Sequence, residues 1–161
     1  MALVSASCSR ETAVPDGGHG YLTAAVEQDD SFTLITTKAE VTAETPFALK
    51  IYKGSEMVKE ITDHRTLQTE PLQLNCATYK VTAENRAQVD AVFDDPRYYG
   101  ESDVKVLADQ VVNADIKCSL ADVLVAPAFS DDFDTYFKTW SLKVVSGNDN
   151  LVWSKELNTI G

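Results

Sequence analysis

Residues 71–129 decide the fold class of this chain, and they read PLQLNCATYKVTAENRAQVDAVFDDPRYYGESDVKVLADQVVNADIKCSLADVLVAPAF. Within this stretch, apolar and polar residues alternate in short runs, and polar turn residues separate the runs. Alternation with a period of two is typical of a β-strand with one buried face. Strands of about 5–8 residues that recur between turn signals indicate a sandwich or a barrel. The stretch therefore predicts an antiparallel β-sandwich, Ig-like or transthyretin-like.

The rest of the chain continues this pattern on both sides. Upstream, several alternating runs lie within residues 20–61, and a hairpin turn is predicted at 53–55. Downstream, residues 140–153 predict a further hairpin. The segment 130–138 breaks the alternation and predicts a short helix with Ser130 as its N-cap. The predicted fold is therefore all-β with one short helix.

The composition fits one folded domain and excludes several classes of partner. The chain has 161 residues, of which 44% are hydrophobic, and this is enough for one domain with a core. The formal net charge of −11 argues against nucleic acid as a partner, because phosphate binding needs clustered Lys and Arg. It also argues against electrostatic docking on an anionic membrane. No apolar run approaches the ~20 residues of a spanning helix, so membrane association is expected only through a lipid anchor.

The N-terminal residues resemble the end of a bacterial lipoprotein signal peptide. They read MALVSASCS, a run of small and apolar residues that includes Cys8. Residues 9–19 have little to bury, as in a flexible tether. We therefore expect a partial lipoprotein signal segment at 1–8, lipidation of Cys8, a tether at 9–19 and the β-sandwich domain at 20–161. The alternative is a frayed terminus around a buried or free cysteine.

The other cysteines and the histidines do not predict a metal site. Cys76 and Cys118 lie near alternating sequence, where each is either a small buried apolar residue or half of a disulfide in an exported protein. Their spacing leaves both alternatives open. Without a CxxC motif, and with His19 and His64 far apart, no zinc site is predicted. His64 stands between two charged residues and is expected at the surface.

Two acidic clusters each have a functional and a structural interpretation. Asp131, Asp132 and Asp134 offer carboxylates that suit calcium, but their position at the predicted helix start favours capping. Asp94 and Asp95 offer an acid–base pair as in glycoside hydrolysis, but turn formation before a proline is favoured. The chain contains no GxSxG, HExxH, Walker A or GxGxxG motif. The sequence therefore predicts no catalytic residues, no metal and no cofactor.

The predicted loop 94–100 carries the best candidates for ligand binding, namely Asp95, Arg97, Tyr98 and Tyr99. Aromatic rings stack on sugar faces, and tyrosine combines apolar area with a polar tip. Arginine and aspartate side chains supply hydrogen bonds to hydroxyl groups. The structural alternative is a loop that packs its own tyrosines over the end of the sandwich.

Four segments of the chain together resemble one known family. They are Gly20-Tyr21-Leu22, Leu74-x-x-Ala77-Thr78-Tyr79-x-Val81-x-Ala83, Phe93-Asp94-Asp95-Pro96-x-Tyr98-Tyr99-Gly100 and Ile116-x-Cys118-x-Leu120. Over residues 20–153 the chain resembles the DUF4493 family of uncharacterised domains in exported lipoproteins of gut Bacteroidetes. The resemblance implies a β-sandwich, a lipid-anchored protein of the outer membrane or cell surface, and in some members a downstream domain suspected of carbohydrate metabolism. The family has no established catalytic residues, so none is implied here.

These features predict a non-catalytic, lipid-anchored cell-surface module that binds or presents carbohydrate. The expected partners are a glycan and a downstream domain or surface-assembly proteins. The alternative is a fimbrillin-like adhesin or assembly subunit, because such exported sandwiches join by adding a strand at a sheet edge. A hydrolase is the third interpretation, and it requires two carboxylates that converge in a cleft.

Overall fold

The computed structural model describes residues 17–29, 45–89, 92–93, 95–123, 125, 127–147, 149–156 and 159–160. Within them, the chain forms ten strands and two one-turn helices, which confirms the all-β class with a little helix. Cys8, the predicted signal segment and most of the predicted tether lie outside the described residues. None of the described helices is long and apolar enough to cross a membrane.

The strands and helices have the following bounds along the chain. The strands are β1 His19–Gln28, β2 Ala48–Lys53, β3 Glu56–Ile61, β4 Leu72–Asn75, β5 Ala77–Glu84, β6 Tyr98–Val106, β7 Val111–Leu120, β8 Ser141–Ser146, β9 Asp149–Ser154 and β10 Thr159–Ile160. The helices are α1 Thr66–Thr69, between β3 and β4, and α2 Phe133–Tyr136, between β7 and β8. The predicted hairpin turn at 53–55 joins β2 to β3.

Seven strands form one sheet in the order β3-β2-β5-β6-β7-β1-β4. All its neighbouring strands pair antiparallel except β1 and β7, which pair parallel from Tyr21 opposite Val111 to Gln28 opposite Cys118. The expectation of purely antiparallel pairing is therefore wrong for this pair. Parallel neighbours need a long crossover, and here the chain builds β2 to β6 before β7 returns beside β1.

The sheet curls so that its two ends share one hydrophobic core. The sulfhydryl of Cys118 on β7 donates to the carbonyl of Ala83 on β5 at 3.7 Å, although β6 lies between these strands in the sheet. The buried apolar residues come from both ends of the sheet and from α1: Leu22, Ala24, Phe47, Leu49, Ile51, Leu67, Leu74, Tyr79, Val81, Ala83, Tyr98, Val104, Val106, Ala114, Ile116 and Cys118. The outer face of β2, β5 and β6 is left to polar side chains.

Cys76 and Cys118 carry free thiols. Cys76 donates its backbone N–H to Gly18, just before β1, whereas Cys118 pairs with Gln28 at the far end of β1. The ten residues of β1 span about 30 Å, so the two side chains cannot meet. Burial raises the pKa of the Cys118 thiol to about 12, as expected for a small residue of the core.

His64 is buried, and the prediction of a surface histidine is wrong. The residue is 8% exposed, and its Nδ1 accepts a hydrogen bond from the Phe47 N–H at 3.2 Å. The His64 N–H in turn donates to the Phe47 carbonyl at 2.9 Å, so the two bonds tie the residue before β2 to the turn before α1. The flanking charges misled the prediction because Asp63 and Arg65 pair with each other at 2.6 Å.

The C-terminal strands form a separate antiparallel sheet in the order β10-β9-β8. The predicted short helix precedes it as α2, but its N-cap is Asp132 and not Ser130, and no side chain caps it. Ser130 contributes its carbonyl, which accepts the Phe133 N–H at 3.0 Å. Around α2 lies an aromatic cluster whose ring centroids are 4.6 to 5.6 Å apart: Phe129, Phe133, Phe137 and Trp140.

Candidate functional site

An open groove lies on the outer face of β2, β5 and β6. Its volume is about 400 Å³, and the residues that line it are Lys50, Tyr52, Gly54, Ser55, Lys80, Thr82, Glu84 and Tyr99. Most of them are alternate residues of the three strands, whose intervening residues point into the core. The groove therefore has a floor fixed by the sheet and walls made of long polar and aromatic side chains.

The Tyr98-Tyr99-Gly100 segment begins strand β6, and its assignment to a loop is wrong. Tyr98 is 3% exposed in the core, and Tyr99 points to the groove on the opposite face. A side chain at Gly100 would place a Cβ only 2.4 Å from the Lys117 carbonyl oxygen. The segment is therefore explained by its packing, since one tyrosine fills the core and the glycine lets β7 approach.

Glu84 is the acidic residue that lines the groove. It accepts a hydrogen bond from the Lys50 ammonium at 2.5 Å and another from Arg97 Nη2 at 2.9 Å. Burial raises the pKa of the Glu84 carboxyl, but the hydrogen bonds from both cations outweigh it, so the pKa lies below its ordinary value. The hydrogen bond to Glu84 raises the pKa of Lys50. Glu84 is therefore ionised at neutral pH and holds two cations in fixed positions.

Tyr99 is held from two sides. The Arg97 guanidinium carbon lies 5.3 Å from the centre of its ring, within the range of a cation–π contact. The Tyr99 hydroxyl donates to Glu101 at 3.0 Å, and Lys80 donates to the other oxygen of Glu101 at 3.1 Å. Burial, together with the bond to Glu101, raises the pKa of Tyr99 to about 12. The Tyr99 hydroxyl is thus protonated at neutral pH, and these contacts fix the orientation of the ring.

The backbone that carries Arg97 is clamped by polar side chains of its neighbours. The Asp122 carboxylate accepts the Arg97 N–H at 3.0 Å and also pairs with the Arg86 guanidinium. The Asn85 side-chain amide donates to the Pro96 carbonyl at 2.9 Å, and its oxygen accepts a hydrogen bond from the Tyr98 N–H at 2.7 Å. These bonds fix the chain just before β6, so the position of Arg97 does not depend on Glu84 alone.

The structure brings only two of the predicted ligand-binding residues together. Arg97 and Tyr99 are in direct contact beside the groove. Tyr98 lies in the core, so its ring is not available to a ligand. Asp95 is paired with Arg86 at 3.4 Å and does not line the groove. The residues predicted to form one cluster are therefore separated: Tyr99 lines the groove with Arg97 beside it, Tyr98 lies in the core, and Asp95 pairs with Arg86.

Most residues of the groove were not predicted from the sequence, although the alternation that places them on one face of each strand was present. Lys50 and Tyr52 alternate with the apolar residues of β2, and Lys80, Thr82 and Glu84 alternate with those of β5. The alternation places each set on the outer face of its strand. The alternation does not show that β2 and β5 are neighbours. Only the structure shows this, through the pairing of Lys50 with Thr82.

The described residues show no cluster suited to binding a metal. Among them, no group of three or more His, Cys, Asp or Glu residues is arranged to hold a metal ion. Asp134, one of the predicted acidic cluster, accepts a hydrogen bond from the Trp140 indole at 3.2 Å and pairs with Lys155 at 3.5 Å. This carboxylate thus stabilises the contact between the segments around α2 and β9.

Comparison with known proteins identifies a family. The sequence model of the family described as "Domain of unknown function (DUF4493)" matches residues 18–159. No curated protein matches the chain. No solved structure matches it either.

Proposed function

This chain belongs to the DUF4493 family, and on that premise we propose that it is a non-catalytic module that binds carbohydrate in the groove of β2, β5 and β6. The observation that carries the proposal is the pair of tyrosines, Tyr52 and Tyr99, that line one open groove together with charged side chains. Tyrosine rings offer flat apolar faces to sugar rings, and the charged groups offer hydrogen bonds to hydroxyls. The volume of about 400 Å³ lies within the usual range of ligand sites.

The fixed geometry of the groove favours binding. Lys50, Lys80 and Tyr99 are each held by a carboxylate of the same face, Glu84 or Glu101. Side chains that are ordered before binding lose less conformational entropy when a ligand arrives. A weakly held polar ligand such as a sugar benefits from this, because water competes for each of its hydrogen bonds.

The state of the two carboxylates supports a role without catalysis. A glycosidase needs one carboxylic acid with a raised pKa that protonates the leaving group. In this groove, the pKa of Glu84 is lowered because its bonds to Lys50 and Arg97 outweigh its burial, and hydrogen bonds from Lys80 and Tyr99 lower the pKa of Glu101. Neither group is suited to donate a proton at neutral pH.

The alternative proposal is an assembly subunit that accepts a strand at a sheet edge, and the edges of the seven-stranded sheet lend it less support. Edge strand β3 turns Lys59 toward the core-facing side, opposite the buried Ile51, and carries Val58 as an extra residue at a bulge. Inward-pointing lysines, bulges and short edge strands all hinder strand addition. The other edge strand, β4, has only four residues.

The proposed address is the cell surface, with Cys8 as the site of a lipid anchor. The support is the run of small residues before Cys8 and the polar composition of residues 9–19. Intact mass spectrometry of the protein purified from its native membrane tests this proposal. A mass increase that matches a lipid and disappears in Cys8→Ser is expected. An unmodified Cys8 in the native protein would end the proposal of an anchor without affecting the groove.

The proposed function is tested by the binding of the full chain to a panel of plant and host polysaccharides. We expect saturable binding to at least one polymer, and its loss in the double variant Tyr52→Ala, Tyr99→Ala. Tyr136→Ala is the matched control, because Tyr136 is exposed on α2 and does not line the groove. Binding of no polymer, or equal binding by all three proteins, would refute a carbohydrate site in this groove.

A further inference from the structure

We propose that the groove takes an extended oligosaccharide, with one sugar ring at Tyr52 and another at Tyr99, rather than a single sugar. The inference rests on the proposed function and adds the size and direction of the ligand. It follows from the strand register, which places the two tyrosines on opposite sides of β5 and at different heights along it.

The register sets the separation of the two tyrosines. Tyr52 on β2 pairs with Lys80 of β5, and Tyr99 on β6 pairs with Glu84 of β5. The two backbone positions are therefore two strand spacings apart across the sheet and four residues apart along it. With ordinary strand dimensions this corresponds to a diagonal of about 16 Å between their Cα atoms. That backbone separation exceeds the width of one sugar ring, which favours a ligand with more than one ring.

Polar groups occupy the middle of this diagonal. Thr82 of β5 lies halfway between Lys80 and Glu84, and its pairing partners are Lys50 on one side and Glu101 on the other. This row supplies an ammonium and a carboxylate at the place where a chain that runs between the tyrosines would cross β5, while the hydroxyl of the buried Thr82 donates to the Lys50 carbonyl at 3.5 Å. A carbohydrate presents hydroxyl groups there, which accept from Lys50 and donate to Glu101.

The two ends of the diagonal differ in how the ring is held. Tyr99 has the Arg97 guanidinium over its ring, and its hydroxyl is bonded to Glu101. Tyr52 lies beside the turn residues Gly54 and Ser55, where the groove meets the β2–β3 hairpin. The groove is open to solvent between these two ends, so a ligand that contacts both tyrosines would lie along the surface of the sheet.

The test measures how affinity depends on ligand length. The probe is a series from monosaccharide to hexasaccharide, prepared by partial hydrolysis of the polysaccharide that binds most tightly in the panel. For the full chain, we expect the affinity to rise at least about tenfold, equivalent to about 1.4 kcal/mol, between the monosaccharide and the short oligomers, and then to level off.

Single variants distinguish this inference from the proposed function. Tyr52→Ala and Tyr99→Ala should each flatten the dependence on length, whereas Tyr52→Phe keeps the ring and should retain it. A monosaccharide that binds as tightly as the hexasaccharide, with binding still lost in the alanine variants, would overturn the extended ligand but keep the carbohydrate site. Absence of binding to every polymer would overturn both. Circular dichroism and thermal unfolding of each variant exclude loss of the fold as the cause.

Discussion

The guanidinium of Arg97 lies over the ring of Tyr99, with its central carbon 5.3 Å from the ring centre, and its Nη2 reaches Glu84 at 2.9 Å. The side chains of Arg97 and Glu84 are each only 13% exposed. Arg97 Nε is buried and has no hydrogen-bond partner among the described residues, so its guanidinium depends on these two contacts. One arginine therefore connects the ionised carboxylate of Glu84 to the aromatic ring of Tyr99, its partner across β5 and β6.

The first prediction concerns the stability that this arginine provides. Arg97→Met should lower the free energy of unfolding by about 2 kcal/mol, because it removes one of the two cations that bond to the largely enclosed Glu84 carboxylate. Lys80→Met is the matched control within the groove. Lys80 and its partner Glu101 are about half exposed, at 46% and 48%, so the loss of this solvent-screened ion pair should change the free energy of unfolding little. Urea denaturation measures both, and equal losses would contradict the role given to Arg97.

The second prediction concerns Gly100. Gly100→Ala should destabilise the domain by about 2 kcal/mol or more, because the new Cβ would meet the Lys117 carbonyl oxygen at 2.4 Å and push β6 from β7. Ser102→Ala, two residues along the same strand, is the control and should change stability little. Thermal unfolding measures both variants. If Gly100→Ala unfolded at the same temperature as Ser102→Ala, the close approach of β6 and β7 at Gly100 would not be required for stability.

The third prediction is a dependence of stability on pH that comes from His64. Burial lowers the pKa of His64 below its ordinary value, so the unfolded chain binds a proton more readily than the folded chain. The stability that the neutral His64 side chain contributes is therefore fully present above about pH 6.5, the pKa of histidine in the unfolded chain. It is lost as the pH falls through the lower pKa of His64 in the folded chain. Protonation also removes the acceptor of the Phe47 N–H. Asp63, whose pKa the hydrogen bonds from Arg65 hold at about 2, stays ionised in this window.

Two histidine variants isolate this contribution. His64→Asn keeps an acceptor near the Phe47 N–H and does not titrate, so its stability should vary less between about pH 7 and pH 5 than that of the parent. His19→Asn should keep the full pH dependence of the parent, because His19 is exposed at the start of β1. Urea midpoints across the pH series measure the difference. A parent and His64→Asn curve of the same shape would rule out His64 as the titrating group.

Local alternation predicted the fold class and the two faces of individual strands. Phe47, Leu49 and Ile51 lie on the core face as their spacing requires, and the hairpin turn after β2 lies where its glycine indicates. The parallel pairing of β1 with β7 was not predictable, because the period of two is the same in parallel and antiparallel strands. Partner choice depends on the packing of the whole core, which a single sequence does not display.

The residues of the groove were also not predictable as a group, because their grouping depends on which strands are neighbours. Tyr98 and Tyr99 were predicted to have the same role, but successive residues of a strand face opposite sides of the sheet. Tyr98 therefore lies in the core and Tyr99 in the groove. Their assignment to a loop hid this difference. The other groove tyrosine, Tyr52, lies far earlier in the chain, and only the order β2-β5-β6 brings it to the same surface. Surface sites built across strands need the strand order before their residues can be grouped.

The last prediction concerns the exposed edge of the seven-stranded sheet. Lys59 points to the core-facing side of edge strand β3, where it would place a charge in any interface formed by an added strand. Lys59→Val should remove that barrier, because the substituted position and Ile61 would then place two successive apolar residues on this side of β3. Lys53→Val makes the same change of charge at the end of inner strand β2 and is the control. Light scattering over a concentration series should show self-association of Lys59→Val alone, and a strictly monomeric Lys59→Val would mean that the bulge at Val58 protects the edge without the lysine.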